Sequence, residues 1–217
     1  MPDAINKFVE NRNIAQVRDI QRDIHALYRI DASQYDEEKK LVIRKVYDLI
    51  PSNMENKKKR IVVKKKIEGK AGHKQFSDYA DEFEFLTNSG VALAVRAISN
   101  PKFPLIESES KNLLKLYLSD VGLLTNLLYS TNVNAVLRDV CSVNLGSVYE
   151  SMVAQELHAH GFALHYYDNK QRGEVDFLID DYSSLTVLPI EVKSGKDYKV
   201  HSALDKFIST PDFHISQ

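Results

Sequence analysis

Apolar residues recur at helical spacing through the first fifty residues of the chain. They stand three or four positions apart, with charged residues between them, at Val17, Ile20, Ile24, Leu27 and Tyr28. This spacing predicts an amphipathic helix with one apolar face. A second helix is predicted over about residues 36–50, with Pro51 as its end, because proline lacks the amide hydrogen that a continuing helix needs.

The middle of the chain changes from helical to strand-like periodicity. A helix is predicted over about residues 74–88, and Gly90 fits its C-terminal end. VALAVRAI (91–98) and LLKLYLSDVGLL (113–124) are predicted as strands, and residues 61–63 as a short strand before that helix. The resulting order of helix, basic segment, helix and two strands is typical of a winged-helix unit.

The last third of the chain alternates between helix and strand patterns. NLGSVYESMVAQELHAHG predicts a helix that ends at Gly161, FALHYYD predicts a strand, and GEVDFLIDDYSSLTVLPIEVKSG predicts two more strands. A helix over about residues 198–208 and a final strand at FHI complete the order αβββαβ. We therefore expect an α/β protein, with a helical, winged-helix-like region over residues 1–125 and an αβββαβ domain over residues 126–217.

Composition excludes several classes of protein. Hydrophobic residues make up 43% and charged residues 27% of the 217 residues, and the formal net charge is -1. This balance is that of a globular protein with no overall attraction to nucleic acid or membrane. No apolar run approaches the ~20 residues that span a bilayer. Cys141 is the only cysteine, which excludes an internal disulfide and predicts a cytoplasmic protein.

Positive charge is concentrated in one segment, residues 57–74, which carries nine lysine or arginine residues against one acid. Such a segment is usually a solvated surface. Beside a winged-helix pattern, however, it is a candidate for contacts to DNA phosphates, which depend strongly on salt and carry little sequence information. The candidate DNA-binding residues are Lys57, Lys58, Lys59, Arg60, Lys64, Lys65 and Lys66.

Charged residues interrupt the last two predicted strands. Side chains alternate across a strand, so Asp176 is expected on the face opposite Val175 and Phe177. Glu191 and Lys193 share one face of the next strand, and pairing of the two strands would bring them to Asp176. Two close carboxylates favour a bound cation, Mg²⁺ prefers such oxygen ligands, and a nearby lysine can stabilise charge on a phosphate. The alternative is an ion pair on a solvated face of the sheet.

The aspartate, the fourteen-residue gap and the Glu-Val-Lys run that follows resemble the motif of the PD-(D/E)XK nuclease superfamily. The restriction-endonuclease-like core of that superfamily has the same αβββαβ order. The resemblance implies that Asp176 and Glu191 hold Mg²⁺ and that Lys193 stabilises the transition state or activates water. Many members add an acidic residue from the first core helix, and Glu150 is the residue at that place in this chain.

Over essentially its whole length, the chain also resembles the C-terminal half of a family of prokaryotic AAA-type ATPases. The resemblance lies in MPDAINKFVE, IQRDIHALYRID, KLYLSDVGLL, GSVYESMVAQEL, GEVDFLI and PIEVKSG. In that family a P-loop ATPase domain precedes a winged-helix region and a nuclease-like domain. No G-x-x-x-x-G-K-[ST] motif occurs in this chain. The resemblance therefore implies a fragment whose ATP site and ATPase domain belong to a parent protein.

Two hypotheses for function follow from these patterns. The first is a DNA-binding protein whose nuclease-like domain hydrolyses phosphodiester bonds with Mg²⁺. The second is a non-catalytic module that docks DNA or a protein partner under the control of the ATPase domain.

Overall fold

Helices form the first half of the protein. A computed structural model describes residues 2–35, 39–54, 79–130, 132–138, 145–194, 201–213 and 215. The N-terminal helices are α1 (Pro2–Asn11), α2 (Ile14–Tyr35), α3 (Lys40–Met54) and α4 (Ala80–Asn88). The Asn13 side chain caps α2, because its oxygen accepts a hydrogen bond from the backbone N–H of Ala15 at 3.0 Å.

The helices predicted within residues 17–50 are confirmed, but the predicted end of the second helix is wrong. Helix α3 continues through Pro51 to Met54. Pro51 is buried, and its packing outweighs the single helical hydrogen bond that a proline removes. Residues 55–78, which include the predicted strand at 61–63 and the start of the helix predicted at 74–88, lie outside the described residues.

Within the part of the chain that the structure describes, five strands form one mixed sheet in the order β2-β1-β3-β4-β5. They are β1 (Ala92–Ile98), β2 (Glu109–Leu118), β3 (His165–Asn169), β4 (Gly173–Asp181) and β5 (Thr186–Ile190). Strands β1 and β3 are parallel, and the other neighbouring pairs are antiparallel. The sheet therefore joins the β1–β2 hairpin of the predicted N-terminal region to the strands of the predicted C-terminal domain. The division at residue 125 stays a prediction.

The second half of the predicted strand at 113–124 is wrong. Strand β2 ends at Leu118, and helix α5 (Val121–Tyr129) begins directly after Asp120. The Asp120 carboxylate accepts a hydrogen bond from the backbone N–H of Leu123 at 3.1 Å, which caps the helix. The apolar residues on both sides of this cap hide the change of element, because a short apolar run fits either structure.

The C-terminal part follows the predicted order of elements. A short helix α6 (Asn134–Leu137) is followed by α7 (Gly146–Ala159), strands β3 to β5, and α8 (Ser202–Ile208). The predicted final strand appears as one isolated parallel bridge between Val187 and Ile215. None of the described helices is long and apolar enough to cross a membrane.

Helices cover both faces of the sheet, which makes the described chain a mixed α/β protein. One face of the β1–β2 hairpin packs against α3, α4 and α5, and its other face packs beneath α7. Helix α8 packs through Phe207 against Val175 and Leu178 of β4. Between α7 and this face lies Glu150, one of the charged residues that were predicted to form a site.

Candidate active site

Strand β4 carries a β-bulge at Asp176. Where β4 pairs with β3, two steps along β3 match three steps along β4, from Val175 to Leu178. Val175 and Leu178 consequently pack with α8, whereas Phe177 packs beneath α7. The predicted strict alternation, with Val175 and Phe177 on one face, is therefore wrong. A bulge of this kind can re-aim a side chain next to a functional site, and here it lies at the predicted metal ligand.

The structure brings Asp176 beside the residues that follow β5. Its Oδ2 atom accepts a hydrogen bond from the backbone N–H of Val192 at 2.8 Å. This bond fixes the chain on both sides of Val192, where Glu191 and Lys193 lie. Lys193 Nζ is 2.6 Å from Glu191 Oε1. Pairing of β4 with β5 therefore brings together the three residues Asp176, Glu191 and Lys193, and their chemical roles stay predictions.

Glu191 is held in an environment that opposes its negative charge. Burial raises its pKa, the hydrogen bond from Lys193 lowers it, and the charge of Asp176 raises it again, so that the pKa lies above its ordinary value of 4.5. Glu191 Oε2 is buried and has no hydrogen-bond partner among the described residues. A divalent cation would satisfy this oxygen and neutralise both carboxylates, so the pair fits Mg²⁺.

The fit rests on two carboxylates rather than on a complete set of protein ligands. Within the described ranges, no group of three or more His, Cys, Asp or Glu residues is arranged to hold a metal ion. Mg²⁺ tolerates such a site, because it commonly takes one or two carboxylates and keeps water and substrate phosphate in its other positions.

Glu191→Gln is expected to stabilise the protein at pH 7 and to have no such effect at pH 4, with divalent ions removed by EDTA. Below the pKa that Glu191 has in the unfolded chain, it is protonated in both the folded and the unfolded state and does not change the free energy of unfolding. As the pH rises through the raised folded pKa, the folded state must hold an unfavourable charge, so the free energy of unfolding falls. The gain is about 1 kcal/mol or less, because the hydrogen bond and the charge of Lys193 offset much of the cost of burying the carboxylate.

Urea unfolding of both proteins at pH 4 and pH 7 measures this difference. Glu156→Gln, on the exposed face of α7, is the matched control and is expected to change nothing at either pH. An equal gain for Glu191→Gln at both pH values would contradict the assigned direction of the pKa shift.

A fully buried lysine lies beside the predicted helix glutamate, and the sequence analysis missed it. Lys115 Nζ is 2.6 Å from Glu174 Oε1 and 3.7 Å from Glu150 Oε1. Because β1 and β3 separate β2 from β4, the Lys115 side chain crosses the face of the sheet to reach Glu174. On the way its ammonium lies 4.3 Å from the centre of the Tyr166 ring, a cation–π contact. The signal in the sequence was one lysine inside the apolar run LLKLYL.

Glu150 faces the sheet from helix α7. Its side chain is buried and accepts a hydrogen bond from the Tyr117 hydroxyl. Burial raises the pKa of Tyr117 well above its ordinary value, and the charges of Asp176 and Glu174 raise it further. The tyrosine therefore stays protonated and keeps donating. The sequence analysis also missed Tyr117, which bonds the predicted helix acid and lies within the electrostatic influence of the carboxylates of β4.

The predicted DNA-binding residues cannot be placed relative to this site. All seven lie outside the described residues: Lys57, Lys58, Lys59, Arg60, Lys64, Lys65 and Lys66.

The structure thus defines a mixed α/β protein with a buried charged cluster beneath one helix. Comparison with known families gives matches over both parts of the chain. Residues 1–134 match a domain of unknown function, DUF8612, and residues 145–214 match a second one, DUF4143. The first match covers more than half of the chain, so the chain belongs to the DUF8612 family. The second domain typically occurs in AAA-ATPase-associated C-terminal regions. No curated protein and no solved structure matches the chain.

Proposed function

We propose that this chain binds DNA and hydrolyses phosphodiester bonds at Asp176, Glu191 and Lys193 with the help of Mg²⁺. The observation that carries the proposal is the state of Glu191: its Oε1 pairs with Lys193, its Oε2 is buried without a hydrogen-bond partner among the described residues, and the charge of Asp176 acts on it. When bound, Mg²⁺ supplies a polarised water and a contact to the substrate phosphate.

Each residue of the site has a distinct role in this proposal. Asp176 and Glu191 hold the ion, and the Val192 N–H keeps the Asp176 carboxylate in a fixed orientation. Lys193 is half-buried, so its ammonium can leave Glu191 and stabilise the charge that develops on a phosphate oxygen. Glu150 is too deeply buried beneath α7 to touch a substrate and would assist through its hydrogen bond with Tyr117.

The order of elements supports a nuclease-like fold for this domain. Helix α7, strands β3 to β5 and helix α8 are followed by a parallel bridge at Ile215, which is the αβββαβ order of the PD-(D/E)XK core. The match of residues 145–214 supports a place in an AAA-type ATPase, whose separate ATPase domain would bind ATP. In this proposal the winged-helix-like region contacts DNA through the lysines of residues 57–66, and the protein acts in the cytoplasm.

The alternative is a non-catalytic module that docks DNA or a protein partner under control of the ATPase domain. The buried ammonium of Lys115 favours this candidate, because it offsets one of the two charges of Glu150 and Glu174 without any metal ion. A fold can keep such a charged cluster for packing alone.

A cleavage assay decides between the two functions. Wild-type protein with Mg²⁺ or Mn²⁺ is expected to cut single-stranded, duplex or branched DNA. Glu191→Gln is expected to cut at least about 100-fold more slowly, because it removes an ion ligand and the charge that holds Lys193. The control Glu156→Gln is expected to cut like wild type.

Each result of the assay has a clear meaning. Binding of DNA without cutting on any substrate would favour the docking module. Cutting that persists in Glu191→Gln would show that this site does not carry the activity.

A further inference from the structure

The side chain of Lys115 lies between two carboxylates that would otherwise attract a metal ion. We propose that its ammonium is an internal counter-ion that takes the place of a divalent cation between Glu150 and Glu174. This inference deepens the proposed function and rests on it for one point, the ion at Asp176 and Glu191. If the inference holds, the carboxylates of Asp176, Glu191, Glu150 and Glu174 together bind one ion, the one held by Asp176 and Glu191.

Burial makes Lys115 a fixed part of the cluster rather than a mobile surface charge. Its side chain is 0% exposed, and that of Glu150 is 3% exposed. A lysine removed from water at this depth must be paired, since an isolated buried charge costs several kcal/mol. Glu174 at 2.6 Å and Glu150 at 3.7 Å provide the pairing. The single charge of the ammonium consequently lies between two carboxylates and offsets one of their two negative charges.

The groups around the ammonium are those that a divalent cation would choose. The two carboxylates offer hard oxygen atoms, and two neighbouring ions are the basis of the two-metal mechanism of many nucleases. Glu174 is 31% exposed, so this side of the cluster is open to ions from solvent. The obstacle to a second ion is therefore the ammonium itself, and removing it should open a site.

Counting bound Mn²⁺ by equilibrium dialysis or calorimetry tests the inference. Lys115→Met is expected to bind one more Mn²⁺ per chain than wild type, because methionine keeps the apolar stem of the side chain and removes only the ammonium. The double variant Lys115→Met/Glu174→Gln removes a carboxylate as well, and its ion number is expected to return to that of wild type. Thermal unfolding should show a larger stabilisation by Mn²⁺ for Lys115→Met than for either of the other proteins.

The outcomes separate this inference from the proposed function. If wild type binds no ion and Lys115→Met binds one, the role of Lys115 stands and the metal chemistry at Asp176 and Glu191 fails. An unchanged ion number in Lys115→Met would overturn the role of Lys115, and so would an extra ion that persists in the double variant.

The test holds even if the single variant is unfolded in EDTA. The inference requires Mn²⁺ to replace the ammonium, so added Mn²⁺ is expected to restore the folded state, followed by circular dichroism. Lys115→Gln, which can still form hydrogen bonds with the carboxylates, serves as a second variant. If both variants stay unfolded at saturating Mn²⁺, the ammonium has a role that an ion cannot take, and the inference is overturned.

Discussion

Lys115→Met is expected to lower the free energy of unfolding by about 3–5 kcal/mol when divalent ions are absent. The substitution leaves Glu150 of α7 and Glu174 of β4 without the ammonium that lies between them. Glu150 is buried, so water cannot replace the lost ammonium there. The loss therefore comes mainly from an uncompensated buried charge rather than from lost packing. Urea unfolding in EDTA, followed by circular dichroism, measures the change.

Two further variants locate the cause of this loss. Lys193→Met removes a lysine that also pairs with a glutamate at 2.6 Å, but this lysine is one-third exposed. Its expected cost is below about 1 kcal/mol, because solvent reaches the lysine and screens its charge. Lys115→Met/Glu174→Gln is expected to recover part of the loss, since one of the two carboxylates that faced the ammonium is gone. Equal losses for Lys115→Met and Lys193→Met would contradict the burial argument.

Local patterns in the sequence were sufficient to predict much of the fold. The apolar stripe of α2 and the strands flanking the turn after Asp181 are determined by residues that are close in the chain. For the same reason the convergence of Asp176 with Glu191 and Lys193 could be predicted, because a hairpin brings those positions together once its turn is set.

Features that depend on distant contacts could not be predicted in this way. Pro51 remains helical because tertiary packing buries it, and the bulge at Asp176 arises where β4 must pair with both β3 and β5. Lys115 and Tyr117 meet Glu150 only because the sheet order places β2 beneath α7, and spacing along the chain carries no information about that order. A lysine in an apolar strand shows that a partner is needed, but it does not show which one.

Phe207→Ala is the second substitution for which we expect a loss of about 3–5 kcal/mol in the free energy of unfolding. Phe207 of α8 is fully buried, and its ring centre lies 4.8 Å from that of Tyr167 and 5.0 Å from that of Phe213. Truncation would leave a cavity among aromatic rings that are anchored on separate elements and cannot close around it. Ile208→Ala, at the next residue of the same helix, is the matched control. Its side chain is 44% exposed, so a loss below about 1 kcal/mol is expected.

The same variant tests whether the chain unfolds as one unit. Phe207 contacts the β4 side of the sheet, whereas the β1–β2 hairpin belongs to the predicted region 1–125. Because hydrogen bonds connect all five strands, we expect amide exchange in β1 and in β4 to accelerate by the same factor in Phe207→Ala. Faster exchange confined to β3, β4 and β5 would instead show that the parts on either side of residue 125 unfold separately. In that case the two parts of the chain would differ in their free energy of unfolding although their strands belong to one sheet.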